Sequence, residues 1–198
     1  MSELEDPRVR WNARYAAKGQ ELFERAPSEW VAEHRDVIVA HGPGRVVDVA
    51  CGGGRNAVFL AEHGFDVDAV DVSDVAIDGV SAVARYRGLR ITAARADVVL
   101  TPFPRPPYRV VLTMNFLRRE LFGRLEDAVD DGGLLVFQSW MDHPRLAHPL
   151  QPGELPNAFA SLEVLAYRED PGAMRAGIVA RRPAAGGAPG HGVDSASP

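Results

Sequence analysis

The residues best suited to chemistry sit in one stretch. Val46-Val47-Asp48-Val49-Ala50-Cys51-Gly52-Gly53-Gly54-Arg55-Asn56 sets three consecutive glycines after a short run rich in β-branched side chains, with an acid inside that run. Glycines lack a Cβ and let the backbone come close to a ligand. A helix starting just after them offers free N–H groups and the positive end of its dipole to an anion. Asp71 follows Gly52 by nineteen residues, the distance at which a carboxylate accepts the hydroxyls of a ribose. Asp97 follows the next apolar run, where a carboxylate meets the exocyclic amine of an adenine. An anion, a ribose and a base are parts of one ligand.

Two cofactors satisfy that description. Gly52-x-Gly54-x-x-Ala57 fits the dinucleotide pattern, and Asp71 suits a ribose 2′-hydroxyl, so an NAD(P)-dependent oxidoreductase is one reading. Asp48 weighs against it. A carboxylate inside the first strand costs several kcal/mol unless it is paired. S-adenosylmethionine brings an aliphatic ammonium that would pair with it, and NAD has none. The loop residues expected at the cofactor are Asp48, Ala50, Cys51, Gly52, Gly54, Arg55 and Asn56.

The elements that must position these residues alternate. Ser28 caps an expected helix over Glu29 to Ala40, and Arg45 to Val49 is an expected strand. A helix over Asn56 to His63 follows, then a strand over Phe65 to Val70. Ser73 caps a helix running to Arg87, and Leu89 to Ala93 is a third strand. After a proline-rich loop come a strand over Val110 to Met114, a helix over Leu117 to Val129 and a strand over Leu134 to Ser139. Alternation of this kind gives a parallel sheet with helices on both faces. The last two runs, Leu162 to Tyr167 and Ala176 to Arg181, are too close for a parallel crossover and must form a hairpin. The expected fold is therefore α/β: a Rossmann-like, doubly wound sheet of seven strands, mostly parallel, with an antiparallel terminal strand.

The segment from Val47 to Ala57 resembles motif I of the class I S-adenosylmethionine-dependent methyltransferases, with Ala50 at its first glycine position. Asp71-Val72-Ser73 resembles their second motif, and Ala96-Asp97-Val98 their adenine-contacting turn. Asp131-Gly132-Gly133 resembles the turn into their fifth strand. Arg10-Trp11-Asn12-Ala13-Arg14-Tyr15 is similar to the N-terminal lid of the small-molecule branch. Gly52 to Leu60, Pro152 to Leu155 and Tyr167 to Asp170 are most similar to the tellurite-resistance methyltransferases. The resemblance implies S-adenosyl-L-methionine as cofactor. It adds Val72, Ser73 and Val98 to the site, with Trp11 and Tyr15 closing over it and Met114, Asn115 and Leu117 at the end of the fourth strand. Two departures concern the substrate. The insert before the last strand, Pro171 to Arg175, is short, and Asn115-Phe116-Leu117 differs from the Asn-Pro-Pro-Tyr of many nucleic-acid and glutamine N-methyltransferases.

The chain of 198 residues carries a net charge of −5, which disfavours a protein that grips nucleic-acid phosphates. No apolar run is long enough to span a bilayer. Cys51 is the only cysteine, so no cysteine-rich metal site or intramolecular disulfide forms and no metal is expected. The expected organisation is a methyltransferase domain over residues 1–182, its lid being residues 1–27, and a disordered tail over residues 183–198. A cytoplasmic monomer or homodimer acting on a small molecule fits these features. The sulfonium is already activated, so a base is needed only if the nucleophile must lose a proton. His143, Arg118 and Trp140 are the weak candidates, with Asp142 and His148 nearby. A non-catalytic domain that only binds the cofactor would show the same loop.

Overall fold

The computed structural model describes residues 6–141 and 147–184. The strands are β1 (Arg45–Val49), β2 (Asp66–Asp71), β3 (Ile91–Arg95), β4 (Tyr108–Met114), β5 (Val129–Trp140), β6 (Glu163–Asp170) and β7 (Arg175–Arg181). They form one sheet in the order β3-β2-β1-β4-β5-β7-β6. β1 pairs in parallel with β2 and β4, β2 with β3, and β4 with β5. β7 is antiparallel to both of its neighbours, β5 and β6. The expected reversed strand is thus β7, inserted between β5 and β6. Strand order reverses between β1 and β4, which opens a crevice at their carboxyl ends.

The helices are α1 (Pro7–Ala16), α2 (Glu29–Glu33), α3 (Arg35–Ala40), α4 (Arg55–Glu62), α5 (Asp74–Arg87), α6 (Phe122–Asp127) and α7 (Glu154–Ala158). The central strands are buried on both faces, which is why they read as unbroken apolar runs. Val47, Val49, Val111, Leu135 and Phe137 join the core that includes Leu125 and Phe159. Val46, Val110, Leu112 and Val136 join the opposite core, with Ala57, Leu60 and Trp30. Beneath the sheet, Arg105 donates to both carboxylates of the β2 pair, Asp66 and the buried Asp68, and Tyr108 Oη donates to Asp68 at 3.0 Å.

Four expectations about elements need correction. The helix over Glu29 to Ala40 is broken at His34, whose φ of −99° and ψ of 15° leave the helical region. The cause is tertiary. Trp30 lies flat on Gly177 of β7, where a Cβ would sit 2.7 Å from the indole, so α2 takes the direction that seats this ring. Ser28 precedes α2 but its hydroxyl does not cap it. Its backbone N–H instead donates to Asn56 Oδ1 at 2.8 Å. The helix over Leu117 to Val129 is a 3-10 turn, Arg119–Leu121, followed by α6, because Val129 already belongs to β5. β3 starts two residues later than expected, at Ile91. Arg182 to Ala184 lack regular structure, and the rest of the expected tail lies outside the described residues.

Candidate active site

The loop between β1 and α4 is built on three left-handed residues: Ala50 (φ 56°), Gly52 (φ 55°) and Gly54 (φ 72°). Gly54 is strained in no way by this, whereas a Cβ at Ala50 makes the same conformation costly by about 1 kcal/mol. No side chain caps α4, so its first turn is left to the loop. Asp71, at the end of β2, braces that loop. Its Oδ2 accepts the Gly52 N–H at 2.9 Å and its Oδ1 accepts the Ser73 N–H at 2.9 Å. Each oxygen keeps a second lone pair, so the carboxylate shapes the loop and can still accept two more donors. Burial raises its pKa, against the Ser73, Gly52 and Val72 N–H groups that lower it.

Asp48 lies one strand away and is 1% exposed. The Ala57 N–H lies near it, while its Oδ2 has no hydrogen-bond partner. Burial pushes its pKa up to about 7, the Ala57 N–H and Arg55 opposing and Asp71 reinforcing the shift. A buried carboxylate with an orphaned oxygen is costly unless a donor or cation arrives. The site residues therefore fit an aliphatic ammonium. Cys51 is buried, its thiol pKa raised by burial and then by Asp48 and Asp71, so it is unreactive packing within the loop.

The N-terminal segment closes over this loop. Asn12 Oδ1 accepts the Ser73 Oγ–H at 2.6 Å and the Val75 N–H at 3.4 Å, and Asn12 Nδ2 donates to Asp74 Oδ2 at 3.2 Å. Ser73 Oγ in turn accepts the Ala76 N–H at 3.2 Å, capping α5 as expected. Tyr15 is buried with its phenol on the loop. A Cβ at Gly52 would lie 3.1 Å from the hydroxyl. Burial and then Asp71 raise the Tyr15 pKa. A Cβ at Gly53 would lie 2.3 Å from the Leu22 carbonyl oxygen, and one at Gly79 would lie 2.0 Å from the Phe23 ring. Glycine at both positions admits the lid. Trp11 is half-buried, with its ring 5.2 Å from that of Tyr15 and the guanidinium of Arg14 5.0 Å away. Sequence reading missed Asn12, although it lies inside the quoted lid motif.

The turn after β3 is held by its own acid and by α6. Asp97 Oδ1 accepts the Val99 N–H at 2.9 Å, and Arg124 Nη1 donates to the Val98 carbonyl at 2.8 Å. The Val98 side chain packs into the core. The turn follows β3 directly, so Asp97 follows β3, Asp71 ends β2 and Asp48 is the penultimate residue of β1, three adjacent strands.

Across the switch point the polar atoms are strangely unpartnered. Asn115 Oδ1, Gln138 Oε1, Ser139 Oγ and Arg175 Nε are buried without a hydrogen-bond partner, as is Asp48 Oδ2. Asn115 follows β4 with a φ of 59°, and Met114, which ends the strand, is buried. The guanidinium of Arg175 lies 4.3 Å from the Trp140 ring. Arg25 and Arg175 are near enough to Arg55 to add like-charge repulsion to the desolvation that lowers its pKa. Gln138 and Arg175 were not expected; a glutamine inside Leu134-Leu135-Val136-Phe137-Gln138 was the available signal, and Arg175 gave none.

Leu117, Arg118 and His148 line a groove of about 1380 Å³ whose walls also include Phe122 and Ala158. Arg118 is bound to Glu120 at 2.6 Å, so its charge is already matched. Arg119 holds the far wall through Glu154 at 2.6 Å and through the carbonyl of His148 at 3.1 Å. Asp142 and His143 lie outside the described residues. Among the described residues no helix is long and apolar enough to cross a membrane.

A seven-stranded sheet with β7 reversed, a glycine loop after β1 and acids on β1 and β2 define a class I S-adenosylmethionine-dependent methyltransferase domain. Residues 17–177 match the family described as "Tellurite resistance protein TehB", and the chain belongs to that family. Membership decides between the two cofactors in favour of S-adenosylmethionine. The chain is 26% identical over 158 residues to the "Probable S-adenosyl-L-methionine-dependent methyltransferase TehB" of Haemophilus influenzae (strain 10810), covering 72% of this chain and 55% of that one. It is 28% identical over 162 residues to "Hemagglutinin 1" of Eikenella corrodens, covering 75% and 54%. The chain thus spans about half the length of these curated relatives. The crystal structure of TehB from Haemophilus influenzae superposes with a TM-score of 0.67 at 19% identity, over 87% of this chain and 67% of that one, and shows the shared fold.

Proposed function

We propose that this chain binds S-adenosylmethionine in the β1–α4 loop and transfers its methyl group to a small-molecule acceptor. The observation that carries the reading is the orphaned oxygen of buried Asp48 beside a loop braced by Asp71. Asp48 would hold the ammonium, the outer lone pairs of Asp71 the ribose hydroxyls, and the turn at Asp97 and Val98 the adenine. Tyr15 and Trp11 would exclude water from above, and Ala50, Gly52 and Gly54 shape the loop that admits the ligand. When bound, the cofactor supplies a methyl group on a sulfonium that is already a good leaving group. The protein then has to align a nucleophile in line with that methyl, and proximity and orientation supply up to ~7–11 kcal/mol.

The negative net charge and the open groove beside β4 and β5 favour a small acceptor over a nucleic acid. Titration with S-adenosylhomocysteine, with NAD as control, tests the binding half. Micromolar binding of the first, lost in Asp71→Ala, supports the reading; binding of NAD alone overturns it. Release of S-adenosylhomocysteine from S-adenosylmethionine in the presence of an acceptor tests the transfer half, and tight binding without turnover on any acceptor would favour a domain that only binds.

A further inference from the structure

The acids that would address the cofactor lie at or near the carboxyl ends of β3, β2 and β1, three neighbours in the sheet. Strands are about 4.8 Å apart, so a ligand that reads all three lies across the sheet and points its amino-acid end toward β4. The strand ends that come next are those of β4, β5 and the start of β7. These are the places where Asn115, Gln138 and Arg175 present buried, unpartnered polar atoms.

Register fixes how Gln138 and Arg175 share a face, and Asn115, just past the Met114 that pairs with Gln138, donates its N–H to the Gln138 carbonyl at 2.8 Å. Asp48 pairs with Leu112, and Leu112 with Val136, so these three side chains project to one side. Gln138 is two residues past Val136 and projects to that same side, and so does Arg175, which is opposite Trp140. Gln138 is 6% exposed. Its register partner Gly177 leaves the space that Trp30 fills from the side of β7. The site combines two kinds of recognition. Asn115 and Gln138 offer carbonyl oxygens, which accept hydrogen bonds and carry no charge. Arg175 is a cation with no ion-pair partner among the described residues, with Arg55 close by.

We propose that the acceptor is a small amino-carboxylate, its carboxylate held by Arg175 and its amine N–H groups by Asn115 Oδ1 and Gln138 Oε1. The inference rests on the proposed methyl transfer. An amine fits better than a hydroxyl for a chemical reason. A carboxamide oxygen accepts an N–H bond but does not take up a proton, so it orients a neutral amine without serving as base. The nitrogen lone pair forms the new N–C bond as the C–S bond breaks. The S–C electron pair stays on sulfur, giving S-adenosylhomocysteine, and the methylated ammonium loses its proton to water. A hydroxyl would need a base at the site to remove its proton.

The test uses the full chain saturated with S-adenosylhomocysteine and titrated with glycine, sarcosine and anthranilate. Acetate and benzoate serve as the amine-free controls, methylamine and aniline as the carboxylate-free ones. At least one amino-carboxylate is expected to bind about tenfold or more tightly than both of its controls. Gln138→Met and Arg175→Met are expected to weaken that binding about tenfold while leaving the affinity for S-adenosylhomocysteine within about twofold. Gln138→Met replaces an unsatisfied buried amide by an apolar chain of similar shape, so it folds. Turnover of the amino-carboxylate should rise tenfold per pH unit below the pKa of its own amine, as a neutral nucleophile requires. Binding of S-adenosylhomocysteine without binding of any amino-carboxylate overturns this inference alone. So does preference for glycolate or salicylate over the matched amine, or turnover of tellurite with affinity indifferent to Gln138→Met. Failure to bind S-adenosylhomocysteine overturns the proposed function beneath it.

Discussion

Cofactor binding should release a proton from Asp48. In the free protein burial pushes this carboxyl up to about 7, so at pH 6 it is mostly neutral. A neutral carboxyl offers an ammonium a dipole where a carboxylate offers a charge. Binding therefore requires ionisation, and the apparent dissociation constant grows as the ionised fraction falls. From the shift, affinity for S-adenosylhomocysteine should weaken about tenfold from pH 8 to pH 6 and about thirtyfold by pH 5.5. The same shift predicts the stability of the free protein. Its folded-state pKa lies above the unfolded value of 3.8, so the folded chain binds more protons between those two values. Stability conferred by the neutral carboxyl is present below about pH 4 and is lost as pH rises through about 7, a change of ~4 kcal/mol. Isothermal titration in two buffers of different ionisation enthalpy counts the proton released. Asp48→Asn should bind more weakly at pH 8, show no release and have a flatter pH profile of melting. An affinity for the wild type that is constant from pH 5.5 to pH 8, with no proton released, would refute the reasoning.

Three further outcomes follow from single contacts. Gly53→Ala puts a methyl group against the Leu22 carbonyl, a backbone atom that cannot swing aside, so the lid should lift and cofactor affinity fall about tenfold while the melting temperature changes little. Ala50→Gly should raise stability by about 0.5–1 kcal/mol in urea unfolding, because it relieves the left-handed strain at φ 56°. Arg105→Ala leaves buried Asp68 with Tyr108 as its remaining donor among the contacts described, and should cost about 3 kcal/mol and lower Tm by roughly 10 °C. An unchanged Tm in that variant would show that water replaces the guanidinium.

Much of the site was legible because it is local. The left-handed turns, the capping serine at position 73 and the acid nineteen residues past Gly52 are set by neighbours in the chain, and each residue type there has one physical reason to be present. The double role of Asp71 was less visible. That its oxygens accept the Gly52 and Ser73 N–H groups depends on how β2 ends beside the loop. Helix limits failed where a tertiary contact outweighed the pattern, as at His34, where seating Trp30 on Gly177 broke one helix into two.

The sequence by itself determined the fold class, the glycine loop after β1 and the acids along three strands, since periodicity, turn chemistry and spacing are properties of a linear chain. Only the tertiary structure decided what lies across the switch point. Gln138 and Arg175 are thirty-seven residues apart and meet because β7 enters the sheet beside β5 in an antiparallel register. Leu22 reaches Gly53 because α1 docks on the cap of α5. Contacts of that kind depend on which strand edges and helix faces come together, and no residue spacing records them.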